Sequence, residues 1–126
     1  MAFKHIFLVF CAGGFGALSR FALTVLVNRL ANGQFPWGTL TVNMLGCFIF
    51  GFLWELIGSR SLSDPTRVIL LVGFIGSFTT FSSFIFDNYA LIGQRPDLAL
   101  INIIFQNIAG FIFLYGGIHS AKIIFG

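Results

Sequence analysis

The sequence predicts an all-α integral membrane protein with four transmembrane helices, the third of them broken near its middle. Only 9% of the 126 residues are charged, whereas a soluble domain usually carries about 25%. Four apolar runs each reach the roughly 20 residues that a membrane-spanning helix needs. They are Phe3–Leu30, Gly38–Ile57, Val68–Leu91 and Leu98–Phe125. All three prolines fall in the short connectors, so residues 1–126 are expected to form one four-span membrane domain.

The composition also argues against several functions. The net charge is +3, but the charges are scattered singly, so no nucleic-acid partner is expected. Cys11 and Cys47 lie inside spans without a second Cys or His at ligand spacing, which favours packing over a disulfide or a metal site. No nucleophile–base set or nucleotide-binding loop occurs at credible spacing, so the protein is not expected to be an enzyme.

The first span combines small residues with one buried cation. Ala12 and Gly16, and likewise Gly13 and Ala17, are four apart, a spacing that lets two membrane helices approach closely. Arg20 lies about two-thirds along the span. Its side chain either snorkels to the interface or places a fixed positive charge in an aqueous vestibule, where it would attract anions. Spacing alone leaves both readings open.

The second span carries a polar stripe. Thr39 and Asn43 are four residues apart and share a helical face, which Gly46 continues. Asn43 offers two N–H donors and a carbonyl acceptor. It either bonds to a neighbouring helix or points a donor into an ion pathway, and Thr39 lies on the same face.

The third span contains the feature that we expect to matter most for function. Glycines between Gly73 and Gly76 precede a run of hydroxyls, and hydroxyls and glycines are costly in lipid unless they line a cavity or pack against protein. A break here would free backbone carbonyls, which can hold a cation such as Na⁺. Phe81 and Phe84 are three apart on one face, where their electropositive ring edges could meet an anion. The flanking hydroxyls are those of Thr79, Thr80, Ser82 and Ser83.

The fourth span carries a second polar stripe. Asn102, Gln106 and Gly110 follow one another at spacing four, with Asn107 alongside. Interhelical hydrogen bonds and a pathway wall explain this stripe equally well.

Four helices enclose little interior, which favours a homo-oligomer with the working site at or near the subunit contact. The basic residues near the span ends show only a weak orientation bias, with four on the side of the termini and two on the other. The first group is Lys4, Arg60, Arg67 and Lys122, and the second is Arg29 and Arg95. Since such residues set orientation in the membrane, the weak bias predicts dual topology, with two copies inserted in opposite directions.

Two transport functions fit these observations. A small four-span exporter of the multidrug-resistance type shares the size and layout, but its first span carries a central Glu, whereas this one carries Arg20 and no acid. A proton-coupled exporter needs an ionisable group near the bilayer centre, and the spans provide no acid there. A passive channel needs none.

Two motifs resemble the Fluc (CrcB) fluoride channels. The second span has Gly38-Thr39-Leu40-x-Val42-Asn43 followed by Gly46, and the third has Gly73-x-x-Gly76-x-x-Thr79-Thr80-Phe81-Ser82-Ser83-Phe84. The resemblance extends over the whole chain. Mild departures are Ser77, where many members have glycine, and Ser83, where threonine is common.

This resemblance implies an antiparallel homodimer in the plasma membrane of a microbial cell. Its two pores would export F⁻ passively and protect the cell from fluoride toxicity.

The resemblance also implies roles for individual residues. Phe81 and Phe84 would line the pores through their ring edges, Asn43 would point at the ion path, and Arg20 would lie near a vestibule. Backbone carbonyls of Gly76 and Thr79 from both subunits would hold a structural Na⁺ at the dimer centre. On the residues' own evidence, Thr39, Thr80, Ser82, Ser83 and Asn107 are expected along the pathway.

Overall fold

The computed structural model describes residues 3–59 and 63–126, and all regular elements in these ranges are helical. Four helices are long and apolar enough to cross a membrane. They are the first span Phe3–Leu30, the second Trp37–Ser59, the third Asp64–Ile92 and the fourth Pro96–Phe125. Arg60, which contributes to the predicted charge bias, lies outside the described ranges.

The third span is two helical segments separated by an extended break. The first segment contains an α-helical turn (Asp64–Arg67), a π-helix (Val68–Ile75) and a short α-helical turn (Gly76–Phe78). The second segment is the α-helix Phe81–Ile92. Between them Thr79 (φ −78°, ψ 158°) and Thr80 (φ −149°, ψ 113°) are extended. The glycines that led to the prediction of a break lie before it. Gly73, for example, lies within the π-helix of the first segment.

Threonine is suited to both positions of the break. Its β-branched side chain fits extended backbone better than helix. The Thr80 hydroxyl also caps the second segment, because its Oγ1 accepts from Ser83 N at 3.2 Å. The local sequence thus ends one segment and starts the next.

Glycines bring the second and first spans against the third. A Cβ on Gly46 would overlap Thr79 Cγ2, and a Cβ on Gly16 would overlap the carbonyl oxygen of Phe74. The Gly16 contact confirms close helix packing at one of the small residues of the first span. The first span packs mainly on the first segment of the third, and the second packs mainly on the fourth.

The large apolar side chains of the outer faces are mostly exposed. Phe10 and Phe21 on the first span and Phe111 on the fourth are examples. This distribution suits helices that face lipid or another protein chain.

Candidate functional site

The site is organised by the contact between Asn43 and the break. Asn43 Oδ1 accepts from Thr80 N at 2.9 Å, and Asn43 Nδ2 donates to Thr80 O at 3.2 Å. One side chain of the second span thus satisfies both backbone groups of an extended residue. Unsatisfied backbone groups cost several kcal/mol in a membrane interior, so this contact stabilises the break.

The same contacts release two backbone carbonyls of the third span. In a continuous helix Thr80 N would donate to Gly76 O, and Ser83 N would donate to Thr79 O. Here Thr80 N donates to Asn43 and Ser83 N donates to the Thr80 hydroxyl. Within the described ranges no hydrogen bond to Gly76 O or Thr79 O is found. These are the two carbonyls that the family resemblance assigned to Na⁺.

A cavity of about 320 Å³ adjoins the break. Its polar lining comes from three spans and includes Asn43, Thr80, Gln106 and Asn107. Its apolar lining includes Phe81 and Phe84. The cavity thus gathers five of the predicted pathway residues, together with Gln106 from the polar stripe of the fourth span.

The two predicted phenylalanines meet at the cavity but differ in burial. Their ring centroids are 5.8 Å apart, with the ring planes at 38°. Phe84 is buried, with 6% of its surface exposed, whereas Phe81 is 75% exposed. Phe84 is therefore fixed within this chain, while Phe81 presents its ring at the chain surface.

The hydroxyls of the third span form a small cluster at the start of its second segment. Thr80 Oγ1 lies 3.0 Å from Ser83 Oγ and 3.4 Å from Ser82 Oγ. Of the three residues, Thr80 lines the cavity and the two serines do not. Thr79 donates its hydroxyl back to Ile75 O at 3.1 Å.

Besides the two serines, two predicted residues on the first and second spans are absent from the cavity lining. Arg20 is partly buried and its Nε donates to Ser77 O at 3.1 Å, so its side chain helps to satisfy the first segment of the third span. Thr39 is buried. Asn107 does line the cavity, with its Nδ2 bonded to Ile103 O at 2.7 Å on its own helix.

A chain of four carboxamides runs from the break through the protein. Asn43 Nδ2 donates to Gln106 Oε1 at 3.0 Å, and Gln106 Nε2 donates to Asn102 Oδ1 at 2.9 Å. Asn102 Nδ2 then donates to Asn88 Oδ1 at 3.0 Å, and Asn88 Nδ2 to Phe84 O at 2.7 Å. Sequence reasoning placed Asn102 and Gln106 on one face but missed Asn88, whose only signal is its spacing of four from Phe84.

The sequence is similar to one described family and to several known proteins. Residues 7–118 match the family model described as "CrcB-like protein, Camphor Resistance (CrcB)". A similar protein from Solidesulfovibrio magneticus is 45% identical over 115 residues, covering 90% of this chain and 92% of the relative. One from Desulforapulum autotrophicum is 40% identical over 126 residues, covering 98% of this chain and all of the relative. Both relatives are named "Fluoride-specific ion channel FluC".

Proposed function

The chain belongs to the CrcB-like family, and we propose that it is a fluoride channel of the cell membrane that releases F⁻ passively. The observation that carries this function is the cavity at the break. Its lining brings carboxamides of the second and fourth spans together with the rings of Phe81 and Phe84. The relatives named as fluoride-specific channels share most of the chain's length.

The lining suits a small anion that holds its water tightly. A pore that selects such an ion must replace the lost water with closely spaced donors. The Thr80 hydroxyl and the carboxamides of Gln106 and Asn107 provide polar groups at the cavity wall. Phenylalanine ring edges carry partial positive charge, so the apolar wall can also favour an anion over a cation.

The distribution of acids favours a channel over an exporter of the multidrug-resistance type. Glu55, Asp64, Asp87 and Asp97 all lie toward the ends of their spans. Proton-coupled export would need an acid near the membrane centre. Passive export needs only the membrane potential, which drives an anion out of a negative interior with about 2.3 kcal/mol per charge per 100 mV.

We further propose that two chains associate as an antiparallel homodimer with two pores. Support comes from Phe81, whose ring belongs to the cavity lining and yet is largely exposed on a single chain. A second copy would cover this ring and close the cavity wall. Two copies in opposite orientations would give two equivalent pathways, in keeping with the weak charge bias of the span ends.

A structural Na⁺ at the centre of that dimer is part of the proposal. The residues fit this ion, because Gly76 O and Thr79 O have no hydrogen-bond donor in residues 3–59 and 63–126. Carbonyl oxygens are the ligand type that hard cations prefer. Two copies would supply four such oxygens, and the ion would lock the two breaks together.

Growth of cells in fluoride tests the function. In a strain that lacks its own fluoride export, the chain should restore growth at fluoride concentrations that stop the growth of that strain. Its matched control is the Phe81→Ile variant, confirmed in the membrane by immunoblot, which should not restore growth. Failure of the native chain to protect, despite its presence in the membrane, would contradict the function.

A further inference from the structure

The four-carboxamide chain has a fixed direction. Its first donor is the backbone N–H of Thr80, which cannot accept, and its last acceptor is the backbone carbonyl of Phe84, which cannot donate. Every amide between them accepts with its oxygen and donates with its nitrogen. Turning any one of them over would set oxygen against oxygen and nitrogen against nitrogen. The two backbone ends therefore fix the orientation of all four side chains.

The three carboxamides that follow Asn43 in this row are buried within the protein. Asn102 has none of its surface exposed, and Asn88 and Gln106 are also buried. Buried amides must find partners within the protein, and each here finds one on another helix. Alignment of successive hydrogen bonds also strengthens each of them, so the chain resists reorientation.

The fourth span contributes two carboxamides to this row, Asn102 and Gln106. Of these, Gln106 lines the cavity. Its Oε1 accepts from Asn43, and one Nε2 proton goes to Asn102. No described residue accepts the second Nε2 proton, and Gln106 lines the cavity whereas Asn102 and Asn88 do not. The amide can thus present an N–H to the cavity while its oxygen is held by Asn43.

We propose that Asn102 and Asn88 are positioning residues that hold the Gln106 carboxamide with an N–H toward the cavity, where it donates to the passing anion. The inference rests on the proposed function. Without Asn102 the Gln106 amide keeps only its hydrogen bond from Asn43, so its N–H is no longer held in place to meet an anion. Selectivity for a small anion is then set by residues that never touch it.

A double-mutant cycle on ion selectivity tests this role. Gln106→Met removes the amide at similar volume, and Asn102→Leu removes its orienting partner at similar volume. Native protein, the two single variants and the double variant would be placed in liposomes, and F⁻ and Cl⁻ efflux measured for each. Ser120→Ala is the control, because the Ser120 hydroxyl donates to Gly116 O on its own helix and does not belong to the chain of amides.

If Asn102 acts through Gln106, the effects will not add. Each single variant should lower the F⁻/Cl⁻ permeability ratio about tenfold, the factor expected for one lost hydrogen bond to an ion. The double variant should show the same loss as either single variant, and Ser120→Ala the native ratio. Should Asn102→Leu fail to fold, Asn88→Leu takes its place in the cycle, since it removes the partner of Asn102 and leaves both hydrogen bonds of Gln106 in place.

Three results would overturn the inference. They are native ratios in the single variants, a double variant in which the two losses multiply, and folded single variants that pass neither ion. A native chain that passes no fluoride would instead remove the proposed function itself, so the two failures are distinguishable.

Discussion

Asn43 holds both backbone polar groups of Thr80, at 2.9 Å for the N–H and 3.2 Å for the carbonyl. A side chain of the second span thereby provides the two hydrogen bonds that Thr80 would otherwise make within a continuous third helix. The break persists because its polar groups are satisfied elsewhere, and the freed carbonyls of Gly76 and Thr79 are a consequence. The proposed ion pathway and the proposed Na⁺ site thus depend on one carboxamide.

Replacing Asn43 with aspartate should strongly reduce fluoride flux. The Asn43→Asp carboxylate can still accept from Thr80 N but cannot donate to Thr80 O or Gln106, and it puts negative charge at the cavity wall. We expect flux to fall by a factor of about 100 or more, since leaving buried groups unsatisfied near an added charge costs several kcal/mol. Efflux from liposomes measures this, with retention of the proposed dimer checked by size-exclusion chromatography. Native flux would leave Asn43 without a role at the ion path.

Isoleucine at Phe81 and at Phe84 should reduce fluoride flux in both cases, but only the change at Phe84 should also reduce the stability of the fold. Phe81→Ile removes a ring that is largely exposed on the single chain, so fluoride flux should fall with little change in the folding of that chain. Phe84→Ile removes a buried ring and should reduce flux and also destabilise the fold by about 1–3 kcal/mol. Thermal unfolding in detergent beside liposome efflux makes the comparison. Unchanged flux in both variants would make the pair ordinary packing residues.

Gly46→Ala should disturb the break from the side of the second span. The added methyl would overlap Thr79 Cγ2, so Thr79 or the whole helix must shift, at a cost of about 1–3 kcal/mol. Gly58→Ala on the same helix is the control, because beyond the backbone of its own helix and its chain neighbours no described atom would lie within 4 Å of the added Cβ. The control should keep the native melting temperature and flux. Equal behaviour of the two variants would mean that the contact at Thr79 is not tight.

Sodium should stabilise the protein through main-chain ligands. Exchanging Na⁺ for a large organic cation should lower the melting temperature, because a ligand that binds only the folded state stabilises it. Thr79→Ser keeps the carbonyl and the hydroxyl that bonds to Ile75 O, so it should keep the Na⁺ dependence. A melting temperature that does not depend on Na⁺ would remove the ion from the account.

Both orientations should be present in the membrane. In a background lacking Cys11 and Cys47, a cysteine added at the C-terminus should react with impermeant reagent from each side in a substantial fraction of molecules. The reason is the weak charge bias of the span ends, since strong bias is what fixes one orientation. Labelling from a single side would require a parallel arrangement and would exclude the two-pore proposal.

The sequence predicted the spans better than the contacts between them. The second span was expected at Gly38–Ile57 and is Trp37–Ser59, and the third at Val68–Leu91 and is Asp64–Ile92. Hydropathy determines these limits because the bilayer sets the length. The extended residues of the break lie after the glycines, at Thr79 and Thr80, because their partner is an amide of another span.

The chain of carboxamides could be predicted from the sequence only in part. Spacing of four placed Asn102 and Gln106 on one face, but periodicity within one helix says nothing of the partner on another. Asn88 meets Asn102 only because the second segment of the third span packs against the fourth. Such pairings depend on tertiary packing, so the sequence of a single helix does not reveal them.

Fluoride and chloride efflux from liposomes containing the purified protein is the most direct test of the central claim. A K⁺ ionophore would relieve the charge imbalance, with no pH gradient and no nucleotide present. The account predicts rapid release of fluoride and almost none of chloride. Equal release of both ions, or fluoride release only under an imposed pH gradient, would contradict it.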